Sequence, residues 1–579
     1  MLRTYLRQLA ALLGLFAMLA GQNTGLAQQA SNAQVPPPTI RVTTHMVLVD
    51  VVATDKEGKA VPGLKPEDFT LEESGKKQKI AVFTTPGQNQ PPAPVAALPP
   101  GIYSNRSQYR SPGGAITVML LDAANTQFKD QAYARLQMLK FVREQYKPGQ
   151  RMAVLTLTDS LHVLQDFTTD PQLLYNALQH YVPQERPLAN SGVATNQAGG
   201  PAPAAPSVVT ALDASVAPPN DAASSETLRG TPLFMAAGLQ NFADAAVSYD
   251  LERRTDITFE ALDELARGLG GLPGRKAVIW VTGDLPFTLN PENRSVTDSE
   301  LAETLPSFDT RRVGEHSAGD YAATARNAGA DQIREADARL SAAQIAIYPV
   351  DARGLSINLN QDAQEVMRQM ASDTGGRAYV NQNEIKLGVE RAVADSSATY
   401  TLGYYSPDKK WDGRYRSIKV KADRQGVALQ YRRGYFALDP TQVKGYKPGQ
   451  EVAAALGDAV PATQVAFSAR VLPSAAKGKM GVDFLVDAST LSAEDASGGK
   501  KMDVLFYATA FSPNGKMLGS ESQKVDQTFK SDIYQQIMQH GMMLHMDLSP
   551  PAGATQLRLA VQDGRTGLVG TIDAPLKTQ

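Results

Sequence analysis

The chain has 579 residues, of which 42% are hydrophobic, and a formal net charge of -2. This length predicts about three to five domains with sizeable cores, and the near-neutral charge excludes the basic surface on which nucleic-acid binding depends. The absence of cysteine excludes disulfides, thiolate metal ligands and cysteine nucleophiles.

The first segment has the pattern of a secretory signal. Arg3 and Arg7 precede a short apolar run from Leu9 to Ala20, and Gly25-Leu26-Ala27 is a small-residue cleavage site. Residues 1–27 are therefore predicted to be removed, which gives an exported periplasmic or extracellular protein with no transmembrane segment. A retained anchor is the alternative, but the apolar run is shorter than the ~17 to 25 residues that span a bilayer.

Three short regions are predicted before the central domain. Residues 28–38 end in three prolines and are typical of an extended tether. Residues 39–86 are rich in β-branched residues and turn signals, which predicts an N-terminal β module. Residues 87–114 are rich in proline, glycine and asparagine, as in a linker.

The pattern of residues 115–397 alternates strands with helices, which predicts a doubly wound, Rossmann-like domain with a mainly parallel sheet. A disordered insertion is expected at 187–229, where aromatic residues are almost absent. One predicted helix covers Asp130–Tyr146, and another is capped by Asp170 and begun by Pro171. The predicted strands are Ile116–Leu121, Met152–Thr156, Ala277–Val281, Ile345–Val350 and Arg377–Val380.

The last third of the chain returns to β patterning. Residues 398–437 are predicted to form a β extension, residues 438–460 a linker, and residues 461–579 an immunoglobulin-like β-sandwich, because short strands alternate with turn signals. The strands predicted for the sandwich are Val465–Val471, Val482–Val486, Val504–Phe511 and Leu557–Val561.

An aromatic cluster lies in the β extension. It could form a contact surface, since aromatic residues are enriched where proteins meet, but cross-strand packing is favoured because such pairs stabilise sheets generally. Its members are Tyr400, Tyr404, Tyr405, Trp411 and Tyr415.

The stretch from Val118 to Thr126 is the strongest indication of a functional site. Four apolar residues bring Asp122 to the end of a predicted buried strand, and Asn125 and Thr126 follow within one turn. Ligands of open α/β sheets collect at the carboxyl ends of strands. Carboxylate, hydroxyl and amide oxygens also form part of the octahedral shell that Mg²⁺ requires.

Several phrases, in their order along the chain, resemble the VWFA-related domain proteins known chiefly from acidobacteria. The match spans about residues 40–437 and implies a von Willebrand factor A-type fold and an exported protein more strongly than an activity. The phrases are Leu48-Val49-Asp50-Val51-Val52, Asp122-Ala123-Ala124-Asn125-Thr126, Leu272-Pro273-Gly274-Arg275-Lys276, Tyr348-Pro349-Val350-Asp351-Ala352-Arg353-Gly354, Thr374-Gly375-Gly376 and Tyr400-Thr401-Leu402-Gly403-Tyr404-Tyr405.

The resemblance implies a metal-ion-dependent adhesion site of the pattern Asp-x-Ser-x-Ser. It places Asp122 at the acidic position and Thr126 at the second hydroxyl position. Ala124 stands at the first serine position and supplies no ligand, so the amide oxygen of Asn125 is the substitute. The site would take Mg²⁺ or Mn²⁺ in degenerate form.

Two further ligands are implied by the same pattern. Thr255 is the candidate for the threonine that precedes a helix, with Thr258 as an alternative, and Asp284 is the final acid, displaced by one residue from Thr-Asp-Gly. A purely structural role is the competing interpretation, in which Asp122 caps the following turn and Thr126 bonds backbone.

The indications of an enzyme are weaker. Ser317 lies in Glu315-His316-Ser317-Ala318-Gly319, which differs by one residue from the nucleophile elbow but follows polar residues instead of a buried strand. The six histidines lack zinc-protease spacing. Gly268-Leu269-Gly270-Gly271 follows a helix, so a glycine helix stop is favoured over a dinucleotide loop.

Together these patterns predict a multidomain α/β plus all-β protein that is not an enzyme. Its central A-type domain would be flanked by the N-terminal β module and the C-terminal sandwich, and it would bind a protein or cell-surface ligand in an adhesion-type role. This function rests on fold analogy. A secreted hydrolase and a metal-free envelope scaffold are the alternatives.

Overall fold

The computed structural model covers most of the chain after residue 45. It describes residues 46–86, 97–110, 116–147, 150–184, 232–287, 332–354, 361–381, 385–408, 410–439, 441, 446–473 and 479–576. The predicted signal, the tether, the insertion at 187–229 and the Ser317 motif lie outside these residues.

Mixed α/β structure fills the described residues. The strands are β1 Met46–Thr54, β2 Phe69–Glu73, β3 Lys76–Gln78, β4 Val82–Thr84, β5 Ile102–Ser104, β6 Ile116–Asp122, β7 Arg151–Leu157, β8 Leu161–Thr168, β9 Lys276–Thr282, β10 Ile345–Asp351, β11 Thr399–Tyr405, β12 Tyr415–Ala422, β13 Ala428–Gln430, β14 Gly434–Phe436, β15 Phe467–Pro473, β16 Met480–Val486, β17 Glu494–Ala496, β18 Gly499–Phe511, β19 Met517–Phe529, β20 Met542–Leu548, β21 Gln556–Asp563 and β22 Val569–Pro575. The helices are α1 Ser107–Arg110, α2 Phe128–Glu144, α3 Pro171–His180, α4 Pro232–Leu269, α5 Gln361–Thr374, α6 Ile385–Ser397, α7 Gln450–Gly457 and α8 Ser531–His540, with a further helix at 332–342.

The central sheet has the strand order β10-β9-β6-β7-β8. Its first four strands are parallel, and β8 is antiparallel to β7. Successive side chains of a strand point to opposite faces, and β6 follows this rule: Val118 and Leu120 pack in one apolar core, and Met119 and Leu121 in another. Helices therefore cover both faces of the sheet, as the continuous apolar strands predicted.

Most predicted elements of this domain are confirmed, with one error. Asp170 caps α3 through a 2.8 Å hydrogen bond from Gln172 N, and Pro171 occupies the first turn. The strand predicted at Arg377–Val380 is wrong, because the chain there makes only an isolated bridge between Val350 and Tyr379. Its apolar residues still contact the core although they lack a ladder.

The strands of the N-terminal β module pair with strands from the β extension. One sheet has the order β13-β1-β11-β4 and the other β14-β12-β2-β3. Val49 faces Leu402 across the β1–β11 ladder, and Leu71 faces Val420 across β2–β12. These four side chains belong to one apolar core, so the two segments stabilise each other despite a separation of more than 300 residues.

Two more antiparallel sheets form the C-terminal part. The orders are β20-β16-β15-β5 and β17-β18-β21-β22, with β19 paired to β18. All four strands predicted there are present, within a few residues of the predicted bounds. Phe467, Phe484 and Phe506 pack together between the sheets.

Glycines allow the end of α4 to approach the C-terminal part closely. The helix ends at Leu269, which confirms the predicted glycine stop. A Cβ at Gly271 would lie 1.7 Å from Thr463 O, and one at Gly268 would lie 2.4 Å from Val460 Cγ1. Only glycine fits at such distances. Among the helices in the described ranges, none combines the length and apolarity that a bilayer crossing demands.

Candidate functional site

The strand register places Asp122 beside Trp280. Leu120 is paired with Trp280 across the β6–β9 ladder, and Asp122 lies on the same face of β6 two residues further on. The indole Nε1 of Trp280 donates a 2.9 Å hydrogen bond to Asp122 Oδ2. Both residues are almost fully buried, so a carboxyl group is held inside the protein at the carboxyl end of the sheet.

Asn125 supplies further donors to the same carboxyl group. Its backbone N–H lies 2.9 Å from Asp122 Oδ1, and its Nδ2 lies 3.0 Å from Asp122 Oδ2. Burial raises the pKa of Asp122 above its ordinary value, while hydrogen bonds from Asn125, Thr282 and Trp280 oppose that rise. The N–H donors partly replace the water that the carboxylate loses on burial.

Asn125 also links the carboxyl group to α4. Its Nδ2 donates to Thr258 Oγ1 at 2.9 Å, and its Oδ1 accepts from Arg254 Nη1 at 3.3 Å. Arg254 is only 4% exposed and is paired with Asp250 at 2.8 Å. A buried guanidinium that is already paired with a carboxylate therefore lies one amide away from Asp122.

Thr126 fixes the loop after β6 to the loop after β9. Its Oγ1 accepts a 2.8 Å hydrogen bond from Gly283 N, and its carbonyl accepts one of 2.7 Å from Gln131 Nε2. The backbone N–H groups of Ala123 and Ala124 donate to Leu157 O at 2.8 and 2.9 Å. The loop is thus held by three neighbouring parts of the domain.

The other two predicted ligands lie in different surroundings. The hydroxyl of Thr255 donates to the carbonyl oxygens of Leu251 at 2.7 Å and Pro286 at 3.3 Å. Asp284 is half-buried, and its carbonyl oxygen accepts from Thr282 Oγ1 at 2.7 Å. Thr258, the alternative to Thr255, is the threonine that reaches the Asp122 network.

Most of the groups that reach the Asp122 carboxyl oxygens are hydrogen-bond donors and not metal ligands. Mg²⁺ requires a shell of oxygen ligands, whereas the groups that reach the Asp122 carboxyl oxygens from Asn125 and Trp280 are N–H donors. Within the described ranges, no group of three or more histidine, aspartate or glutamate side chains is placed to hold a metal. Metal ligation by the five predicted residues stays a prediction.

Sequence reasoning did not identify Trp280 or Arg254 as site residues. Trp280 belongs to a strand that was predicted, but its pairing with β6 depends on the order of strands in the sheet. The position of Arg254 depends on the packing of α4, which places this residue at the same edge of the sheet. Polar residues at helical spacing on α4, Asp250, Arg254 and Thr258, are the signal that could have indicated a buried polar face.

Exposed aromatic side chains lie next to this buried network. Phe128 is the first residue of α2, directly after the site loop, and is 52% exposed. Tyr249 precedes Asp250 on α4 and is 57% exposed. The edge therefore combines a fixed polar interior with apolar groups in contact with solvent.

No family model and no curated protein matches the chain. Solved structures that match include a von Willebrand factor type A protein from Catenulispora acidiphila, at 9% identity and TM-score 0.23, over 72% of this chain and 82% of that one. The three N-terminal domains of the type V pili tip protein Mfa5 from Porphyromonas gingivalis match at 10% identity and TM-score 0.23, over 92% and 96%. Protein BatB from Bacteroides thetaiotaomicron matches at 11% identity and TM-score 0.21, over 49% and 98%. TM-scores this low do not establish a common fold.

Proposed function

We propose that the protein is an exported, non-catalytic binding protein that recognises a protein or cell-surface ligand with the carboxyl edge of its central sheet. In this proposal residues 115–397 form an A-type domain and residues 461–579 an immunoglobulin-like sandwich that supports it. Asp122, Asn125 and Thr126 shape the binding edge from within, and no divalent cation takes part.

The position of Phe128 carries the proposal. An exposed phenyl ring follows a loop that Leu157, Gly283 and Gln131 hold by hydrogen bonds. Aromatic residues are enriched at the cores of protein interfaces, and a surface that is already rigid loses less entropy when it binds. A buried polar network in the loop that leads to an exposed aromatic residue suits recognition better than it suits chemistry, which needs reactive groups within reach of a substrate.

The Asp122 network also supports a role without metal. The Asp122 oxygens accept N–H groups from Asn125 and Trp280, and Arg254 donates to the amide oxygen of Asn125. A cation at these oxygens would have to displace those donors, which would then lose their buried hydrogen bonds. Partner binding is therefore expected to be unaffected by removal of divalent cations.

Site-specific photocrosslinking in the cell that makes the protein tests this function. A benzophenone side chain at position 128 is expected to yield a defined adduct that persists in the presence of EDTA. The matched control is position 136, because Leu136 lies on the same helix and is 49% exposed. Absence of an adduct at 128, or the same adduct at both positions, would overturn the proposal.

A further inference from the structure

Strand β19 lies at an open edge of the C-terminal part. It pairs with β18 from Phe529, opposite Lys500, to Met517, opposite Phe511. Within the part of the chain that the structure describes, no strand pairs with its other side. Because β19 has 13 residues, that side presents a row of backbone N–H and C=O groups about 40 Å long, which is a template for another strand. The proposed binding at Phe128 does not use this edge.

Two of the usual protections of an edge strand are missing from most of β19. Proteins guard such strands with prolines and with bulges. The β18–β19 ladder has one irregularity, between Ala510 and Phe511 near the turn, and the segment from Ser520 to Phe529 contains no proline. Apart from Val525 and Phe529, which are half-buried against the sandwich core, the side chains of this segment are exposed. The segment is therefore regular and accessible, as strand addition requires.

Charged side chains, a third protection, are present and select the occupant of the edge. Lys524 and Asp526 lie on the face of β19 away from the core, whereas Val525 faces the core. The Lys524 and Asp526 side chains are 3.4 Å apart and are 49% and 40% exposed. Lys524 also lies 3.1 Å from Asp503, and Asp526 lies 3.3 Å from Lys501. A strand added here is favoured when it brings a base opposite Asp526 and an acid opposite Lys524.

The sequence of β19 carries that pattern itself. In an antiparallel pair related by a two-fold axis, directly opposite residues lie on the same face, so their numbers differ by an even number. Lys524 and Asp526 are the oppositely charged residues of β19 that meet this condition, because Glu521 lies on the other face. Two copies centred on Val525 therefore place Lys524 of each strand opposite Asp526 of the other.

We propose that two copies of this chain associate through β19, in an antiparallel register that places Val525 opposite Val525 across a two-fold axis. The register overlaps residues 521–529 of each strand. It leaves out residues 517–520, where Pro551 already lies 3.1 Å from the position of a Cβ at Gly519. Association in this way pairs backbone groups along both edges and joins the two sheets that contain β18 into one.

Charge reversal tests whether the two copies meet as proposed. Sedimentation velocity of the full chain should give twice the mass of one chain. Lys524→Glu and Asp526→Lys should each raise the dimer Kd by about tenfold or more, because both cross-strand pairs then join like charges. A mixture of the two variants should form the dimer again, since each variant meets the opposite charge in the other. Lys516→Glu, at an exposed position of the β18–β19 turn, is the control and should remain a dimer.

Cysteine crosslinking tests the register. The chain has no cysteine, so Val525→Cys introduces a single thiol. Directly opposite Cα atoms of antiparallel strands lie about 4.5 to 5.5 Å apart, which a disulfide can span. Mild oxidation should therefore link Val525→Cys into dimers. Gln523→Cys, on the same face, should stay unlinked, because its two copies would lie about 14 Å apart along the strands.

Three results would overturn the proposal. A full chain that sediments as a single copy at every concentration leaves the edge to solvent or to a strand of a different protein. A dimer that both charge variants retain places the interface elsewhere on the molecule. Equal linkage of Val525→Cys and Gln523→Cys, or a mixture of the charge variants that does not reassociate, excludes the register.

Discussion

The indole N–H of Trp280, the only hydrogen-bond donor of that side chain, donates to Asp122, with 2.9 Å between Nε1 and Oδ2. The two residues come from adjacent strands of the central sheet and lie 158 positions apart in the sequence. The contact explains how a carboxyl group can remain buried at the end of β6, and it fixes β6 against β9 at the proposed binding edge.

Trp280→Phe should destabilise the protein by about 1 to 3 kcal/mol, because a buried acceptor loses its donor. The phenyl ring still fills most of the space that the indole occupied. The loss affects the ionised carboxylate most, so the pKa of Asp122 rises further above its ordinary value. Urea unfolding should therefore give a larger cost at high pH, where the carboxyl group is ionised, than at low pH, where it is protonated. Trp411→Phe, at the other tryptophan of the chain, is the control, and an equal cost at both pH values would contradict the role given to Trp280.

The raised pKa of Glu264 predicts that the protein loses stability as the pH rises. Burial, and next the charge of Asp458, raise the pKa of Glu264 from 4.5 to about 7, against a hydrogen bond from Val460 N. The folded state then binds more protons than the unfolded state between these values, so the free energy of unfolding falls as the pH increases through them. The rise corresponds to about 3 kcal/mol.

Glu264→Gln should remove about 3 kcal/mol of the fall in the free energy of unfolding between roughly pH 4.5 and pH 8. Glutamine can still accept the hydrogen bond from Val460 N, and it carries no charge. Glu260→Gln, at an exposed position one turn earlier on α4, should leave the pH profile unchanged. Chemical denaturation across this pH range is the measurement, and parallel profiles for the unaltered chain and Glu264→Gln would refute the assignment.

Gly271 should not tolerate a side chain. A Cβ there would lie 1.7 Å from Thr463 O, so Gly271→Ala must push α4 away from the segment that leads into β15. We expect a loss of about 3 kcal/mol or more, in the range of severe overpacking. Gly457→Ala is the matched control, since a Cβ at that position meets nothing within 4 Å; a thermal melt in which both variants behave alike would contradict the close approach.

Tyr404 should connect the β extension to the N-terminal β module, because these two segments together form the sheets that contain β1 and β2. Its hydroxyl donates to Glu73 Oε2 at 2.6 Å, and Ser406 Oγ donates to Oε1 at 2.8 Å. Tyr404→Phe removes one donor from a carboxylate that is 3% exposed, at a cost of about 1 to 3 kcal/mol. The neighbouring Tyr405 is 51% exposed, so Tyr405→Phe should change the unfolding midpoint little. Equal effects would show that the Glu73 contact contributes nothing.

The apolar strands of the central domain were predictable because both of their faces are buried. Strand β8 was not, since its side chains are mostly half-buried or exposed and its alternation is weak. Strand β19 was missed for the same reason: Ser520 to Gln527 is polar except for Val525, and the segment is a strand because it pairs along nearly the whole of β18.

The favoured interpretation of the aromatic cluster fits its most buried members. Tyr400 and Tyr404 are fully buried and pack in the core that joins the two segments, whereas Tyr405 and Tyr415 are 51% and 44% exposed. Sequence alternation indicates which faces are apolar, but not which distant strand completes the core. The partner of β1 is set by tertiary pairing across more than 300 residues.

At the candidate site, the spacing of Asp122, Asn125 and Thr126 was sufficient to predict a polar cluster at the end of β6. It was not sufficient to predict the chemistry, because the groups that fill the site, Trp280 and Arg254, arrive through strand register and helix packing. Local spacing indicates where an oxygen lies, and tertiary structure decides whether an N–H group or a cation meets it.

Calorimetric titration of the full chain with Mg²⁺ and Mn²⁺ tests most directly whether internal N–H groups have replaced a cation at Asp122. We predict no saturable heat at millimolar concentrations of either ion, and the same result for Asp122→Asn. Saturable binding in the unaltered chain that Asp122→Asn abolishes would contradict the account and restore the metal site.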